Sequence, residues 1–187
     1  ERSAKIVNTL SITDSVKYTK LVQEIADQYA GLNAIHEDCK SVMVKIKAEN
    51  ITDNEKEEAI KNEEKIKIEK LKQLHEQFLG QLKEDLSEDQ LEKVKDGMTY
   101  RILPITYAAY QDMLPKLTNE QKITIYNLLL EARELAMDAE SSEKKHAVFG
   151  KYKGKINNYL SAAGIDMKKE GEEWQKRIKE RKEEAVK

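Results

Sequence analysis

The residues of this chain best suited to chemistry are a histidine and a cysteine three positions apart. His36 and Cys39 would lie on adjoining parts of one helical face, where imidazole and thiolate can bind zinc. A zinc site needs further ligands, and the remaining histidines, His75 and His146, are distant in sequence. Cys39 also falls in an apolar seam, where a free cysteine usually packs as a small hydrophobic residue. We therefore predict no metal and no cofactor.

Sequence signatures of enzymes do not occur in the chain. There is no glycine-rich phosphate loop, no Gly-x-Ser-x-Gly elbow and no His-Glu-x-x-His pair. Acidic residues are abundant, but no pair of them lies in the apolar setting that acid catalysis requires. We therefore predict no catalytic residues and a function other than catalysis.

A second segment, His146 to Tyr159, combines lysine, asparagine and tyrosine with two glycines four residues apart. Gly150 and Gly154 each cost a helix about 1 kcal/mol relative to alanine, so a compensating reason is expected. Close packing against a neighbouring helix is the favoured explanation. A shallow groove, in which a ligand approaches the backbone, is the alternative.

Tyrosine is the dominant aromatic residue, with eight copies against one Trp and two Phe. Its apolar ring and polar tip suit a sugar, and they equally suit the edge of a thin helical core. Tyr126 and Tyr159 lie on apolar stripes, which favours the core for both. The candidate ligand-binding residues belong to the Gly97–Tyr110 connection and the His146–Asn158 helix: Thr99, Tyr100, Tyr107, His146, Lys151, Lys155, Asn157 and Asn158.

Composition favours long helices that each bury one stripe. Of the 187 residues, 39% are hydrophobic and 36% are charged, and only two are proline. The net charge is −2 with interspersed signs, which disfavours a nucleic-acid partner. No apolar run approaches the roughly 20 residues that span a bilayer, so we predict no transmembrane segment. The first residue is Glu1 rather than methionine, so we expect a processed or trimmed form, which leaves a removed export signal open.

The elements that must position these residues begin with a long helical hairpin. An apolar seam with alternating steps of three and four predicts a helix over about 14–49. Thr52 and Glu55 form a capping-box pattern that begins a second helix over about 53–85. The later part of this helix carries its apolar residues, Ile68, Leu71, Leu74, Phe78 and Leu82. Two long helices joined by a short loop are usually antiparallel neighbours. The seam of the first helix contains Leu21, Ile25, Gln28, Leu32, Ile35, Cys39, Val42 and Ile46.

Shorter helices follow the hairpin. Ser87 and Thr118 each begin a capping pattern, Pro115 ends a helix, and Gly164 and Asp166 separate the last two. Met98 to Leu103 is the one plausible strand or irregular piece. We predict an all-α fold, an elongated bundle in which the long hairpin packs with several shorter helices. We expect a single helical domain over 1–187, with hairpin 14–85 projecting and a compact part at 86–178.

Several motifs resemble an exported, uncharacterised all-helical family from gut-type bacteria that degrade polysaccharides. They are Gln28-Tyr29 with 32–36, then 95–100, then 131–138, and finally 146–164 with 171–174. The resemblance spans nearly the whole chain in that order. It carries no assigned chemistry. It implies a removed signal peptide, a periplasmic or outer-membrane setting and a role with carbohydrate.

Three functions remain open at this point. The leading hypothesis is a non-catalytic accessory protein that binds carbohydrate, alone or in an outer-membrane carbohydrate-binding complex. The first alternative is a periplasmic interaction or chaperone-like helical protein, which the long charged hairpin favours. The second alternative is a glycan-active enzyme whose site is assembled from distant residues.

Overall fold

The computed structural model describes residues 1–184, and the fold is 85% helical. Within those residues there is no strand, which confirms the all-α class. The helices are α1 (Arg2–Val7), α2 (Ser15–Ala48), α3 (Asp53–Asp85), α4 (Glu88–Met98), α5 (Ile102–Met113), α6 (Asn119–Met137), α7 (Ser142–Ala162) and α8 (Met167–Glu184), with a 3-10 turn at Asn8–Leu10 after α1. None of these helices is both long and apolar enough to cross a bilayer.

The predicted hairpin is formed by α2 and α3, and its bounds agree with the prediction to within a residue at each end. The Thr52 hydroxyl accepts the Glu55 backbone N–H, and the Glu55 carboxylate accepts the Thr52 backbone N–H at 2.8 Å. Lys70 and Asp38 join the two helices at 2.9 Å. The capping box and the short turn therefore produce the antiparallel pair as expected.

The seam of α2 is buried as its spacing predicts. Six of its eight members are buried, and Ile35 and Val42 are half-buried. On α3 the expected apolar face is only partly correct, because Ile68 is 61% exposed. At about 100° per residue, Ile68 lies roughly 80° around the helix from the buried Phe78, at the edge of the packed face.

Contacts divide the chain into two compact units. The first unit comprises Glu1–Gly97 together with the short segment Asp138–Ser141. The second unit comprises Met98–Met137 and the chain from Ser142 onward. In the first unit, α1 and α3 both pack on α2. The single-domain organisation stays a prediction.

The second unit is built on the pair α6 and α7, with α5 on α6 and with α8 on α5 and α7. Tyr159 packs at the border of its core. Tyr126 is 37% exposed, so its predicted core position is wrong. Its ring meets the Tyr107 ring edge-on instead, at 5.2 Å between centroids. The buried core contains Leu103, Tyr110, Leu114, Leu117, Ile125, Leu129, Ala132, Ala136, Phe149, Tyr152, Ile156 and Leu160.

The remaining helix boundaries follow local chemistry. Ser87 and Gln90, and likewise Thr118 and Gln121, cap each other reciprocally. Gly164 has φ +85° after α7, the left-handed conformation that glycine adopts most easily. The segment after α4 is a turn rather than a strand, with positive φ at Tyr100 and Arg101.

Candidate functional site

A cleft in the second unit is a candidate site. Helices α5, α7 and α8 line it, and its volume is about 320 Å³, within the range of small-molecule sites. We call it the α5–α8 cleft. Its lining combines apolar side chains with two aromatic rings and a few polar groups: Ile105, Thr106, Ala109, Tyr110, Met113, Lys153, Asn157, Met167 and Trp174.

The indole of Trp174 is held in place from outside the cleft. Its Nε1–H donates to Asp112 Oδ2 at 2.6 Å. Arg181 donates to both oxygens of the same carboxylate, at 3.1 and 2.8 Å. The hydrogen bonds from Arg181 and Trp174 lower the pKa of Asp112 to about 2. A two-point bond from arginine fixes the carboxylate, which in turn fixes the orientation of the indole.

Polar bonds rather than a buried stripe attach α8 to the second unit. No residue of α8 is buried among those the structure describes. Arg177 donates to the carbonyls of Asp112 and Met113 at 3.3 and 2.9 Å, at the end of α5 where helix carbonyls lack internal partners. The position of Trp174 at the cleft therefore depends on the bonds of Asp112, Arg177 and Arg181.

This attachment predicts an acid-sensitive change at Trp174. The pKa of Asp112 is lowered in the folded state, so its bonds contribute stability above the ordinary pKa of 3.8. That contribution is lost as the pH falls from about 4 towards 2. We expect Trp174 fluorescence, the signal of the single Trp in the chain, to shift across this interval. In Asp112→Asn this pH-dependent change in Trp174 fluorescence should disappear. A variant with the same fluorescence change between pH 4 and 2 would show that Asp112 is not its cause.

Tyr110 provides the polar floor of the cleft. Its hydroxyl donates to Asn157 Oδ1 at 2.8 Å, with the Lys153 carbonyl a second acceptor at 3.4 Å. Burial raises the pKa of Tyr110 to about 12, so the hydroxyl keeps its proton at neutral pH. This bond occupies the Asn157 carbonyl oxygen. The Nδ2 amide group of Asn157 and the Nζ of Lys153 are left without a hydrogen-bond acceptor in residues 1–184.

A second and larger cleft lies in the same unit, with a volume of about 570 Å³. The loops after α5 and α7 line it together with the first turns of α8. Its charged side chains are three cations and three anions, and Lys169 and Glu173 lie 4.0 Å apart. It contains no aromatic ring. Mixed, partly paired charge without a stacking surface defines no ligand class, so the α5–α8 cleft is the stronger candidate.

Of the residues predicted from sequence, only Asn157 lines the α5–α8 cleft. Tyr100 and His146 do come together, with stacked rings 5.5 Å apart. Thr99 is fully buried, which keeps its hydroxyl away from solvent. The Nζ of Lys155 lies over the Tyr152 ring at 4.1 Å. The exposed members Lys151 and Asn158, and the half-buried Tyr107, lie outside the cleft.

The packing explanation for the two glycines of α7 is wrong. A Cβ atom built on Gly150 or Gly154 would meet nothing within 4 Å, and both residues are exposed. Neither glycine lines the α5–α8 cleft, so the groove explanation finds no support there either. We have no physical account of why glycine occupies these positions.

Open space at Gly154 predicts that Gly154→Ala stabilises the protein by about 0.4–1 kcal/mol, since alanine restricts the unfolded chain and favours helix. Urea unfolding measures the change. Gly97→Ala is the matched control: its Cβ would lie 2.9 Å from Cγ1 of the buried Ile6, so we expect a loss of about 1–3 kcal/mol. A destabilised Gly154 variant would contradict the exposed geometry.

The surroundings of His36 and Cys39 on α2 are those of residues that stabilise the fold. Cys39 is buried and unpaired. His36 Nε2 lies 2.8 Å from the Asp138 carbonyl oxygen and therefore donates to it. His75 Nδ1 lies 3.0 Å from the Asp138 carboxylate. Across residues 1–184, no group of three histidine, cysteine or acidic side chains is arranged to hold a metal ion.

The sequence interpretation missed Trp174 and the residues that hold it. A signal was present, because Trp174, Arg177 and Arg181 recur at steps of three and four on one face of a charged helix. That spacing indicates that α8 packs against the rest of its unit through the face that carries these three residues. Its partner, Asp112, lies 62 positions before Trp174 and has no such signal.

Fold and cleft together give an all-α protein with a small, partly aromatic cleft, whose described lining includes no Asp, Glu, His, Cys or Ser. The chain belongs to the family described as "Protein of unknown function (DUF3826)", whose model matches residues 1–180. No curated protein matches the chain.

Proposed function

We propose that this chain is a non-catalytic carbohydrate-binding protein and that the α5–α8 cleft is its binding site. The observation that carries the proposal is the Trp174 ring, which lines the cleft beside unpaired polar donors. Sugars offer C–H faces that stack on aromatic rings and hydroxyl groups that need hydrogen-bond partners. The cleft supplies both kinds of contact within one small volume.

Pre-organisation supports binding at this cleft. The Asp112 bond fixes the indole before any ligand arrives, and the Tyr110 bond fixes the Asn157 amide. Groups that are already ordered lose less conformational freedom when a ligand binds. The remaining lining is apolar except for Thr106, so it offers the ring of a sugar a mainly apolar surface.

The character of the lining supports binding rather than hydrolysis. Glycoside hydrolysis commonly needs two carboxylic side chains on opposite sides of the scissile bond. The described lining residues include no Asp or Glu. The nearby Asp112 carboxylate is held by Arg181 and Trp174, and its lowered pKa makes it a poor proton donor at neutral pH.

We propose export to the periplasm or outer membrane, within a polysaccharide-utilisation system, as the setting. This part rests on the sequence resemblance alone. Cell fractionation of the native gene product tests it, and a protein found wholly in the cytoplasm would overturn it.

A glycan array tests the binding function. We expect a small set of oligosaccharides to bind, with a change in Trp174 fluorescence on titration and no turnover during prolonged incubation. Product formation from any bound glycan would favour the enzyme alternative. An array without binding, or binding that leaves Trp174 fluorescence unchanged, would overturn the proposal for this cleft.

The interaction alternative has one observation of its own. Val44, Ile66 and Ile68 on the hairpin are 67%, 40% and 61% exposed. Exposed apolar side chains can hold unfolded chains. Suppression of aggregation of a denatured client protein, lost when these three residues become serine, would favour this function over the first.

A further inference from the structure

On its α7 side, the α5–α8 cleft offers two hydrogen-bond donors, and the two oxygens beside them already accept from Tyr110. The Asn157 oxygen and the Lys153 carbonyl both face the Tyr110 hydroxyl. The Asn157 Nδ2 and the Lys153 Nζ have no acceptor in the described chain. These two side chains are four positions apart on α7 and therefore share a helix face. A ligand group that only accepts hydrogen bonds matches this arrangement.

The charged residues in and near the cleft also favour an anionic ligand. Lys153 is the one charged residue among its described lining, and no carboxylate pairs with it in residues 1–184. Helix α7 contains five lysines and one glutamate, although the whole chain has two more acidic than basic residues. Arg177 lines the larger cleft and Arg181 is paired with Asp112, so Lys153 alone gives the lining of the α5–α8 cleft its positive charge.

The acidic side chains nearest to this region on α8 face elsewhere. Glu170 and Glu173 line the larger cleft, where Lys169 lies 4.0 Å from Glu173. They do not line the α5–α8 cleft. An anion entering the α5–α8 cleft therefore meets the Lys153 ammonium and no carboxylate among the described lining residues.

We infer that the ligand of the α5–α8 cleft is an acidic glycan, bearing a carboxylate or a sulfate group that Lys153 and Asn157 bind. This inference rests on the proposed carbohydrate-binding function. The sugar ring stacks on Trp174, and its anionic substituent accepts hydrogen bonds from the Lys153 ammonium and the Asn157 amide. Lys153 is then a specificity-determining residue, because a neutral sugar gains nothing from its charge.

The test uses an array of neutral, uronic-acid and sulfated oligosaccharides on matched backbones. We expect acidic members to bind at least tenfold more tightly than their neutral counterparts. Lys153→Gln should weaken acidic glycans about tenfold to a hundredfold, the value of a hydrogen bond to a charged group, and should leave neutral ones unchanged. Lys176→Gln, an equal charge loss at an exposed α8 position outside the cleft, is the control.

Each outcome has a separate meaning. Loss of the acidic preference in Lys153→Gln alone supports the inference, and the uronic-acid and sulfated arms identify the anionic group. Equal binding of neutral and acidic glycans, lost in Trp174→Ala, overturns the acidic specificity and leaves the binding function standing. Equal weakening by Lys176→Gln indicates a general charge effect and also overturns it. Binding of no glycan at all overturns the proposed function itself.

Discussion

We expect Trp174→Ala to weaken the proposed glycan binding strongly and to leave the fold intact. The indole is the largest side chain lining the α5–α8 cleft, and aromatic anchors of this kind commonly contribute 2 kcal/mol or more. We therefore expect affinity to fall at least about thirtyfold, as measured by calorimetric titration with an array hit. Far-UV circular dichroism should be unchanged, because no residue of α8 is buried among those described.

Two further variants separate stacking from the hydrogen bond of the indole. Trp174→Phe keeps an aromatic face and removes the Nε1–H that Asp112 accepts. It should retain part of the affinity. Asp112→Asn should weaken binding less than Trp174→Ala, since the ring is still present but less firmly oriented. If Trp174→Ala bound as tightly as the native chain, the α5–α8 cleft would not be the binding site.

The hairpin could be predicted because its determinants are local. The seam from Leu21 to Ile46 repeats every three to four residues, and the turn is defined by a capping box at Thr52 and Glu55. Both signals lie within a few residues of the structure that they produce. The same holds for the reciprocal caps that begin α4 and α6.

The cleft could not be predicted because its parts are far apart in sequence. Tyr110 and Asn157 meet across 47 positions, and Asp112 and Arg181 across 69. Periodicity identifies the face of each helix that packs, but it does not say which helices become neighbours. Asn157 was found because polar residues of α7 were singled out as a group. Trp174, which lines the same cleft, was not predicted because it belongs to α8, whose sequence is mostly charged and is typical of a solvent-exposed helix.

Tyr126 and Gly154 show where the helical spacing of apolar residues fails to predict burial. Tyr126 shares an apolar helix with the fully buried Leu129, but it lies at the border of the packed face and remains 37% exposed. Gly154 sits in an amphipathic helix and faces open space. A residue type indicates what a position tolerates, whereas its exposure depends on which neighbour covers it.

Replacing Lys145 by methionine destabilises the protein by about 2–4 kcal/mol. Lys145 is 3% exposed, and its Nζ donates to the carbonyls of Ala136 and Met137 at 2.7 and 2.8 Å. These carbonyls belong to the last turn of α6, where helix carbonyls lack internal partners and the helix dipole favours a cation. Methionine fills similar space but leaves both buried acceptors unbonded, and each unbonded acceptor costs about 1–3 kcal/mol.

Urea unfolding followed by circular dichroism measures this loss, and Lys151→Met on the same helix is the matched control. Lys151 is exposed, so its replacement should change the free energy of unfolding by less than about 0.5 kcal/mol. The Lys145→Arg variant keeps the charge but needs room for a larger planar head, so it should recover only part of the stability. If Lys145→Met were as stable as Lys151→Met, the bonds from Lys145 to the end of α6 would contribute nothing net, and α6 would be terminated by its other contacts.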